Sequence, residues 1–145
     1  MPVNLEKRGR RAKRMTSTET TAAEIVCLVD DDPTVLKSIG RLLASDGFSF
    51  LAFNDPKSFL AHVTSQSVPL VVLDIWMEQM NGLEVQEQLR ALSPSTRVII
   101  ITGRVDHAAT QAALDAGAIA FFIKPFDGEE FLAAVRTALS SSHSK

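Results

Sequence analysis

The 145-residue chain has one cysteine and no long apolar run. Cys27 has no second cysteine to pair with, and no group of cysteines and histidines has metal-ligand spacing, which excludes a disulfide scaffold and a structural zinc site. Apolar runs such as 98–101 and 116–123 are far shorter than the ~20 residues that span a bilayer, and no apolar segment follows the N-terminal basic cluster as in a signal peptide. We therefore expect a soluble protein of the reducing cytoplasm.

The chain also lacks a strong excess of either charge. Fifteen Lys and Arg against seventeen Asp and Glu leave a net charge of −2, so the chain as a whole is not a polyanion binder. The balance hides an asymmetry: residues 1–24 hold six basic residues and three Glu, a net of +3, and residues 25–145 then carry −5. The length suits one globular domain and is too short for a second catalytic or DNA-binding domain.

Residues 1–24 contain almost no large apolar side chains, so we expect a disordered basic tail. Two alternatives stay open, an arm for nucleic acid or a membrane surface and an upstream start with Met15 as the true first residue. The tail has no interleaved aromatic residues and no amphipathic period, which argues against the nucleic-acid or membrane arm. The expected organisation is this tail, one domain over residues 25–140, and a frayed polar end over 141–145.

After residue 24, short apolar runs alternate with segments of helical period, the pattern of five successive β-α units. The strands are predicted at 25–29, 48–53, 70–73, 97–101 and 118–123, with the second at an edge of the sheet. Such units imply a doubly wound α/β fold, a parallel sheet with helices on both faces, whose functional crevice lies at the carboxyl ends of the strands.

Each predicted helix carries a face that should pack on the sheet. The fourth is unusual because its face is alanine-rich and offers little apolar area. The predicted core faces, in helix order, are Val35, Leu36, Ile39, Leu42 and Leu43; Phe59, Leu60 and Val63; Leu83, Leu89 and Leu92; Ala108, Ala109, Ala112, Ala113 and Ala116; and Phe131, Leu132, Val135, Ala138 and Leu139.

Polar residues follow four of the five strands. Each alone has an ordinary explanation, because an aspartate after a strand usually caps a helix and a lone lysine usually lies in solvent. Together at one rim, the carboxylates would repel unless a cation balanced them, and an oxygen-only site suits Mg²⁺. A lysine and a threonine add the charge and the donor that hold phosphoryl oxygens, whereas no glycine-rich nucleotide loop occurs. The residues are Asp30, Asp31, Asp32, Asp74, Thr102 and Lys124.

These strand ends resemble the receiver domain of bacterial two-component response regulators, most of all the FixJ-type receivers of the CheY-like superfamily. The likeness rests on residues 29–32, 73–74, 101–103 and 122–126, which read Val-Asp-Asp-Asp, Leu-Asp, Ile-Thr-Gly and Phe-Ile-Lys-Pro-Phe. It runs from about residue 25 to about 139, and the motifs recur in the order and at the spacing of the family. The resemblance implies a flavodoxin-like sheet of strand order 2-1-3-4-5.

The resemblance also implies a metal-dependent phosphorylation site. Asp74 would accept a phosphoryl group from a histidine of a sensor kinase or phosphotransfer protein. Mg²⁺ would be the only cofactor, held by Asp30, Asp31, Asp74 and the backbone carbonyl of Trp76, with Asp31 the more direct ligand of the acidic pair. Lys124 would contact the phosphoryl oxygens.

Two further residues would transmit the change. Thr102 would move to bond the acyl phosphate, and Phe121, at the family's switch-aromatic position, would turn inward. Plain sheet packing is an equally open explanation for Phe121, because adjacent strand residues face opposite ways. The domain would not be an enzyme, since it promotes only its own phosphorylation and dephosphorylation.

The sequence departs from the family pattern after the acceptor. The family usually has a Met-Pro pair there, and here Met77 is followed by Glu78, which removes a stiffening proline and adds a charge near the site. Trp76 and Arg104 are bulky, and each lies two residues beyond a site residue, Asp74 or Thr102. We therefore expect them to screen the acyl phosphate from water.

The sequence leaves two rival functions to compare with this one. A degenerate receiver would act as a phosphorylation-independent protein-binding module, against which the intact site residues argue. A Mg²⁺-dependent phosphohydrolase with an aspartate nucleophile would need an acid/base aspartate at position 76, which is tryptophan.

The expected output of the receiver is a protein contact. Whether the chain stands alone or is part of a longer regulator, the downstream partner is an output domain or a protein. If the chain is complete, that contact uses the face of the fourth and fifth units, which could also pair two copies. No nucleic-acid or membrane contact is expected of the domain. Cys27 is expected to be a buried inert thiol, and His62, His107 and His143 to be surface residues without a metal role.

Overall fold

The computed structural model describes residues 25–143. Five strands alternate with five helices along the chain. The strands are β1 (Val26–Val29), β2 (Phe50–Phe53), β3 (Leu70–Asp74), β4 (Arg97–Thr102) and β5 (Ala120–Ile123). The helices are α1 (Pro33–Ser45), α2 (Pro56–Val63), α3 (Gly82–Leu92), α4 (His107–Asp115) and α5 (Gly128–His143).

All five strands form one parallel sheet in the order β2-β1-β3-β4-β5, which confirms the predicted fold class and strand order. The central strands β1 and β3 are buried throughout, as their almost wholly apolar sequences predict for a sheet covered on both faces. Edge strand β2 alternates exposed and half-buried residues. The strand order reverses between β1 and β3, so the carboxyl ends of these two strands open onto a crevice.

The helices divide between the two faces of the sheet. One core cluster joins the sheet to α2, α3 and α4, with Phe59 and Leu89 among its buried residues. The other joins the sheet to α1 and α5, with Leu43 and Phe131 at its centre. The predicted stripe of α5 is wholly buried, and burial of such a side chain contributes about 1.5–3 kcal/mol to folding.

Short polar residues fix where the helices begin. The Asp32 carboxylate accepts a hydrogen bond from Thr34 N at 2.9 Å, so it caps α1 ahead of Pro33 rather than joining the other aspartates. Asn81 begins α3 with a capping box closed by the Glu84 side chain. These caps set where each strand-end loop stops and its helix starts.

Several local predictions were wrong. Leu92 is 44% exposed, because the buried face of α3 is rotated to include Val85 and Gln86. In α4 the buried alanines are Ala109 and Ala113 of the five predicted.

Other predictions differ only at element ends. Strands β2 and β5 each begin two residues later than predicted, and α5 stays helical through His143 instead of fraying from 141. The predicted tail over 1–24 and the last two residues lie outside the described residues. Within residues 25–143, no helix is long and apolar enough to cross a membrane.

Candidate functional site

Three carboxylates meet at the carboxyl ends of β1 and β3. The register pairs Val29 with Leu73, which places the next residues, Asp30 and Asp74, side by side. Asp30 is 1% and Asp74 5% exposed, whereas Asp31 is exposed. One oxygen from each of the three lies within 4.8 Å of the others. The convergence predicted from the strand ends is therefore present for all three.

Backbone amides orient these carboxylates. Asp30 accepts from Asp32 N at 2.9 Å, and Asp74 accepts a longer bond from Trp76 N at 3.4 Å. Asp31 accepts from Glu78 N at 3.1 Å, a bond between residues 47 positions apart that joins the loop after β1 to the loop after β3. Glu78, which stands where the sequence suggested a looser loop, thus ties that loop to the acidic pair through its backbone.

Lys124 supplies the positive charge of the site. Its Nζ lies 3.2 Å from Asp30 Oδ2 and 3.8 Å from Asp74 Oδ2. Its backbone N donates to the carbonyl of Thr102 at 2.7 Å, which continues the β4–β5 pairing to the rim of the sheet. One ammonium against three carboxylates leaves two negative charges in the cluster.

Burial and charge both favour protonation of the buried pair. Burial, and next the neighbouring Asp30 charge, raise the pKa of Asp74 to about 6, although Lys124 opposes the shift. Burial likewise raises the pKa of Asp30. A divalent cation would relieve this repulsion, and the site offers the oxygen-only donors that Mg²⁺ takes. The residues present therefore fit that metal.

Thr102 is wholly buried, and its hydroxyl is engaged by the loop that follows it. The oxygen accepts from Arg104 N at 3.2 Å and donates to Arg104 O at 3.3 Å. The Arg104 guanidinium lies 4.0 Å from the centre of the Trp76 ring, a cation–π contact between the loops after β4 and β3. The two bulky residues singled out from the sequence are thus in contact with each other.

Phe121 lies in β5, opposite Ile100 of β4, and packs partly buried against the cluster that contains α2, α3 and α4. Phe122 packs on the opposite face, with ring centroids 5.6 Å from Phe126 and 5.7 Å from Phe131. The two phenylalanines therefore face opposite sides of the sheet, as predicted. Phe121 is the one on the face of α4.

The sequence analysis assigned no role to Gly82, the first residue of α3. Gly82 N donates to Ile75 O at 2.7 Å, and a Cβ on this residue would lie 2.5 Å from the backbone oxygen of Asp74. Only glycine permits this approach, so the start of α3 packs directly behind the acceptor. A glycine at the first position of a helix was the available signal.

Comparison with known proteins identifies one family for this chain. Residues 26–136 match the family model for the response regulator receiver domain. The chain is 38% identical over 117 residues to the response regulator protein TodT of Pseudomonas putida, covering 81% of this chain and 52% of TodT. The chain thus spans about half the length of the curated relatives it matches.

Solved structures agree. A CheY-like receiver domain protein of Methanospirillum hungatei superposes with a TM-score of 0.78 at 26% identity, over 83% of this chain and 97% of that one. The beryllofluoride-activated NtrC4 receiver domain dimer gives a TM-score of 0.77 at 27% identity, over 82% and 98% of the two chains. The chain therefore belongs to the response regulator receiver domain family of two-component signalling.

Proposed function

We propose that this receiver is switched by Mg²⁺-dependent phosphorylation of Asp74. The observation that carries the proposal is the pairing of a buried carboxylate with a lysine 3.8 Å away, beside two further carboxylates whose oxygens lie within 4.8 Å. A buried carboxylate with only a structural role does not require a lysine and two further carboxylates beside it, whereas a phosphoryl acceptor does.

The transfer forms one bond and breaks one. An Asp74 oxygen attacks the phosphorus of a phosphohistidine on a sensor kinase or phosphotransfer protein, and the phosphorus–nitrogen bond breaks with its electron pair left on the imidazole. Lys124 binds the phosphoryl oxygens, which gives that ammonium a third anionic partner. Asp30, Asp31, Asp74 and the backbone carbonyl of Trp76 would hold Mg²⁺, which when bound neutralises charge on the transferred group.

Thr102 and Phe121 then carry the change outward. The Thr102 hydroxyl leaves its bonds to Arg104 and donates to the acyl phosphate. Because those bonds shape the loop that enters α4, their loss frees that loop, and Phe121 turns inward on the same face of the sheet.

The Trp76–Arg104 contact shields the acyl phosphate. It joins the loops after β3 and β4, and the Trp76 backbone N donates to the acceptor carboxylate itself. Water must pass between these loops to attack the phosphorus, so a stack that closes them slows hydrolysis.

The output is a protein contact through α4 and β5. This region carries exposed apolar side chains, among them Val105 at 63% exposure, Leu114, Ile119 and Ile123. An output domain, a separate target protein or a second copy of the chain would dock there, with no nucleic acid or membrane involved. Pairing with a second copy is supported by the beryllofluoride-activated NtrC4 receiver domain, a structural neighbour that is a dimer. We place these exchanges in the cytoplasm, where sensor kinases expose their phosphohistidines.

The two rival functions are less well supported. A receiver that binds partners without phosphorylation would not need the buried carboxylates of Asp30 and Asp74 held against Lys124. A phosphohydrolase would need a carboxylate at position 76, where the stacked tryptophan lies instead.

The proposal is tested with the small phosphodonor acetyl phosphate. Wild-type protein and the Asp115→Asn control, which changes an exposed aspartate of α4, should gain one phosphoryl group with Mg²⁺ and none with EDTA. The Asp74→Asn variant should gain none in either condition. Absence of labelling in the folded wild-type protein would refute the proposal.

A further inference from the structure

A buried glutamine joins two helices on the face of the sheet next to the site. Gln86 of α3 is 2% exposed, and its Nε2 donates to the carbonyl of Ala113 in α4 at 3.1 Å. Its Oε1 is buried and has no hydrogen-bond partner among the described residues. A buried amide that leaves one atom unpaired is costly, so an apolar residue of the same size would fit better unless the bond to Ala113 is needed.

Helix α4 has little else to hold it. Its buried residues are Ala109 and Ala113, which bury little apolar area, while Leu114 of the helix and Val105 in the preceding loop are exposed. The Ala113 carbonyl also accepts from Ala118 N at 3.1 Å, so the Gln86 bond adds a second donor at the C-terminal end of α4. A single hydrogen bond is therefore a large fraction of what fixes this helix.

Both ends of α4 are connected to the site by contacts. At one end, the Thr102 hydroxyl bonds the Arg104 backbone in the loop that enters α4. At the other, Gln86 lies one turn beyond Gly82, which packs against the backbone of Asp74. The helix behind the acceptor and the loop beside it thus hold α4 from two sides.

We infer that Gln86 is a positioning residue, a latch that holds α4 against α3 in the present arrangement, and that filling the site with a phosphoryl group works against this latch. The first half stands on the free protein alone. The second half rests on the proposed function, because it requires the Thr102 hydroxyl to leave Arg104 when the site is occupied.

The first measurement is amide hydrogen exchange of the free protein. Gln86→Met removes the donor and the unpaired oxygen with little change of volume, and Gln88→Met makes the same change at an exposed position of α3. Losing one buried hydrogen bond should speed exchange of the amides of residues 116–118 by about fivefold in Gln86→Met. The control should match wild type, and α1 and α5 should be unchanged in both variants. Equal exchange in Gln86→Met and wild type would overturn the latch.

A wild-type measurement covers the case in which Gln86→Met does not fold. The side-chain amide protons of Gln86 should be protected from exchange to the same degree as the amides of residues 116–118, because one opening of α4 exposes both. Exchange of that side chain at the rate of free glutamine would overturn the proposal.

The second measurement titrates beryllofluoride with Mg²⁺ into each protein. The half-saturating concentration of beryllofluoride should be about fivefold lower in Gln86→Met than in Gln88→Met, because binding no longer has to break the hydrogen bond from Gln86 to Ala113. An unchanged midpoint alongside faster exchange would refute the link to the site. No binding to wild type would contradict the phosphoryl site instead, and the exchange result would still decide the latch.

Discussion

Replacing Asp74 with asparagine should make the folded protein more stable while removing its acceptor. Asp74 is 5% exposed and lies beside the buried Asp30, and these two causes, burial first, raise its pKa to about 6 from an ordinary 3.8. The ionised carboxylate is therefore an unfavourable group in the fold. Asparagine keeps its shape, can still accept from Trp76 N, and carries no charge.

The size and pH range of the gain follow from that pKa. At ~1.4 kcal/mol for each factor of ten in the ionisation constant, a pKa of about 6 instead of 3.8 costs the folded protein about 3 kcal/mol once Asp74 is ionised. Below pH 3.8 the carboxyl is protonated in both states and the cost vanishes. Between 3.8 and about 6 the unfolded chain ionises first, so the cost grows, and above about 6 it is complete.

Urea unfolding in EDTA, followed by the fluorescence of Trp76, measures this directly. At pH 8 the Asp74→Asn variant should exceed wild type by about 3 kcal/mol, and the gain should shrink toward zero as the pH falls to 4. The Asp115→Asn variant should stay within about 0.5 kcal/mol of wild type throughout. A gain that is absent at pH 8, or equal at pH 4 and pH 8, would contradict the raised pKa of Asp74.

Three further outcomes are expected. Gly82→Ala forces a Cβ to 2.5 Å from the backbone oxygen of Asp74 and should lower the free energy of unfolding by about 2 kcal/mol or more. A Cβ at Gly103 would meet no neighbouring group within 4 Å, so Gly103→Ala should change that free energy by less than about 1 kcal/mol in the same thermal denaturation. Trp76→Asn and Arg104→Ala should each shorten the half-life of the labelled protein several-fold, measured by loss of label after donor removal, and a half-life equal to wild type in both would reject the shield. Burial raises the pKa of the Cys27 thiol to about 12, so iodoacetamide should modify it in urea and not in the native state at pH 8; rapid native labelling would contradict that burial.

The sequence was enough to predict the sheet and the meeting of polar side chains at its edge. Parallel strands end at one edge, so the polar residues at the carboxyl ends of β1, β3 and β5 were expected to converge, and Asp30, Asp74 and Lys124 do. The burial of strands whose sequences are almost wholly apolar followed in the same way.

What could not be predicted depends on helix rotation and on loop paths. The apolar residues of α3 allow more than one rotation about its axis, and the observed one exposes Leu92 and buries Gln86. The contact between Trp76 and Arg104, and the bond from Glu78 N to Asp31, join loops far apart in sequence, which no periodicity reports. The close packing of Gly82 likewise needs the backbone positions of two elements at once.

The most direct test of the account is to locate the phosphoryl group by mass spectrometry of peptides from protein treated with acetyl phosphate. We predict that with Mg²⁺ the added group maps to Asp74 alone, and that no peptide carries it in EDTA. A group on Asp30 or Asp31, or labelling that is independent of Mg²⁺, would contradict the assignment of the acceptor and of the acidic cluster as its metal site.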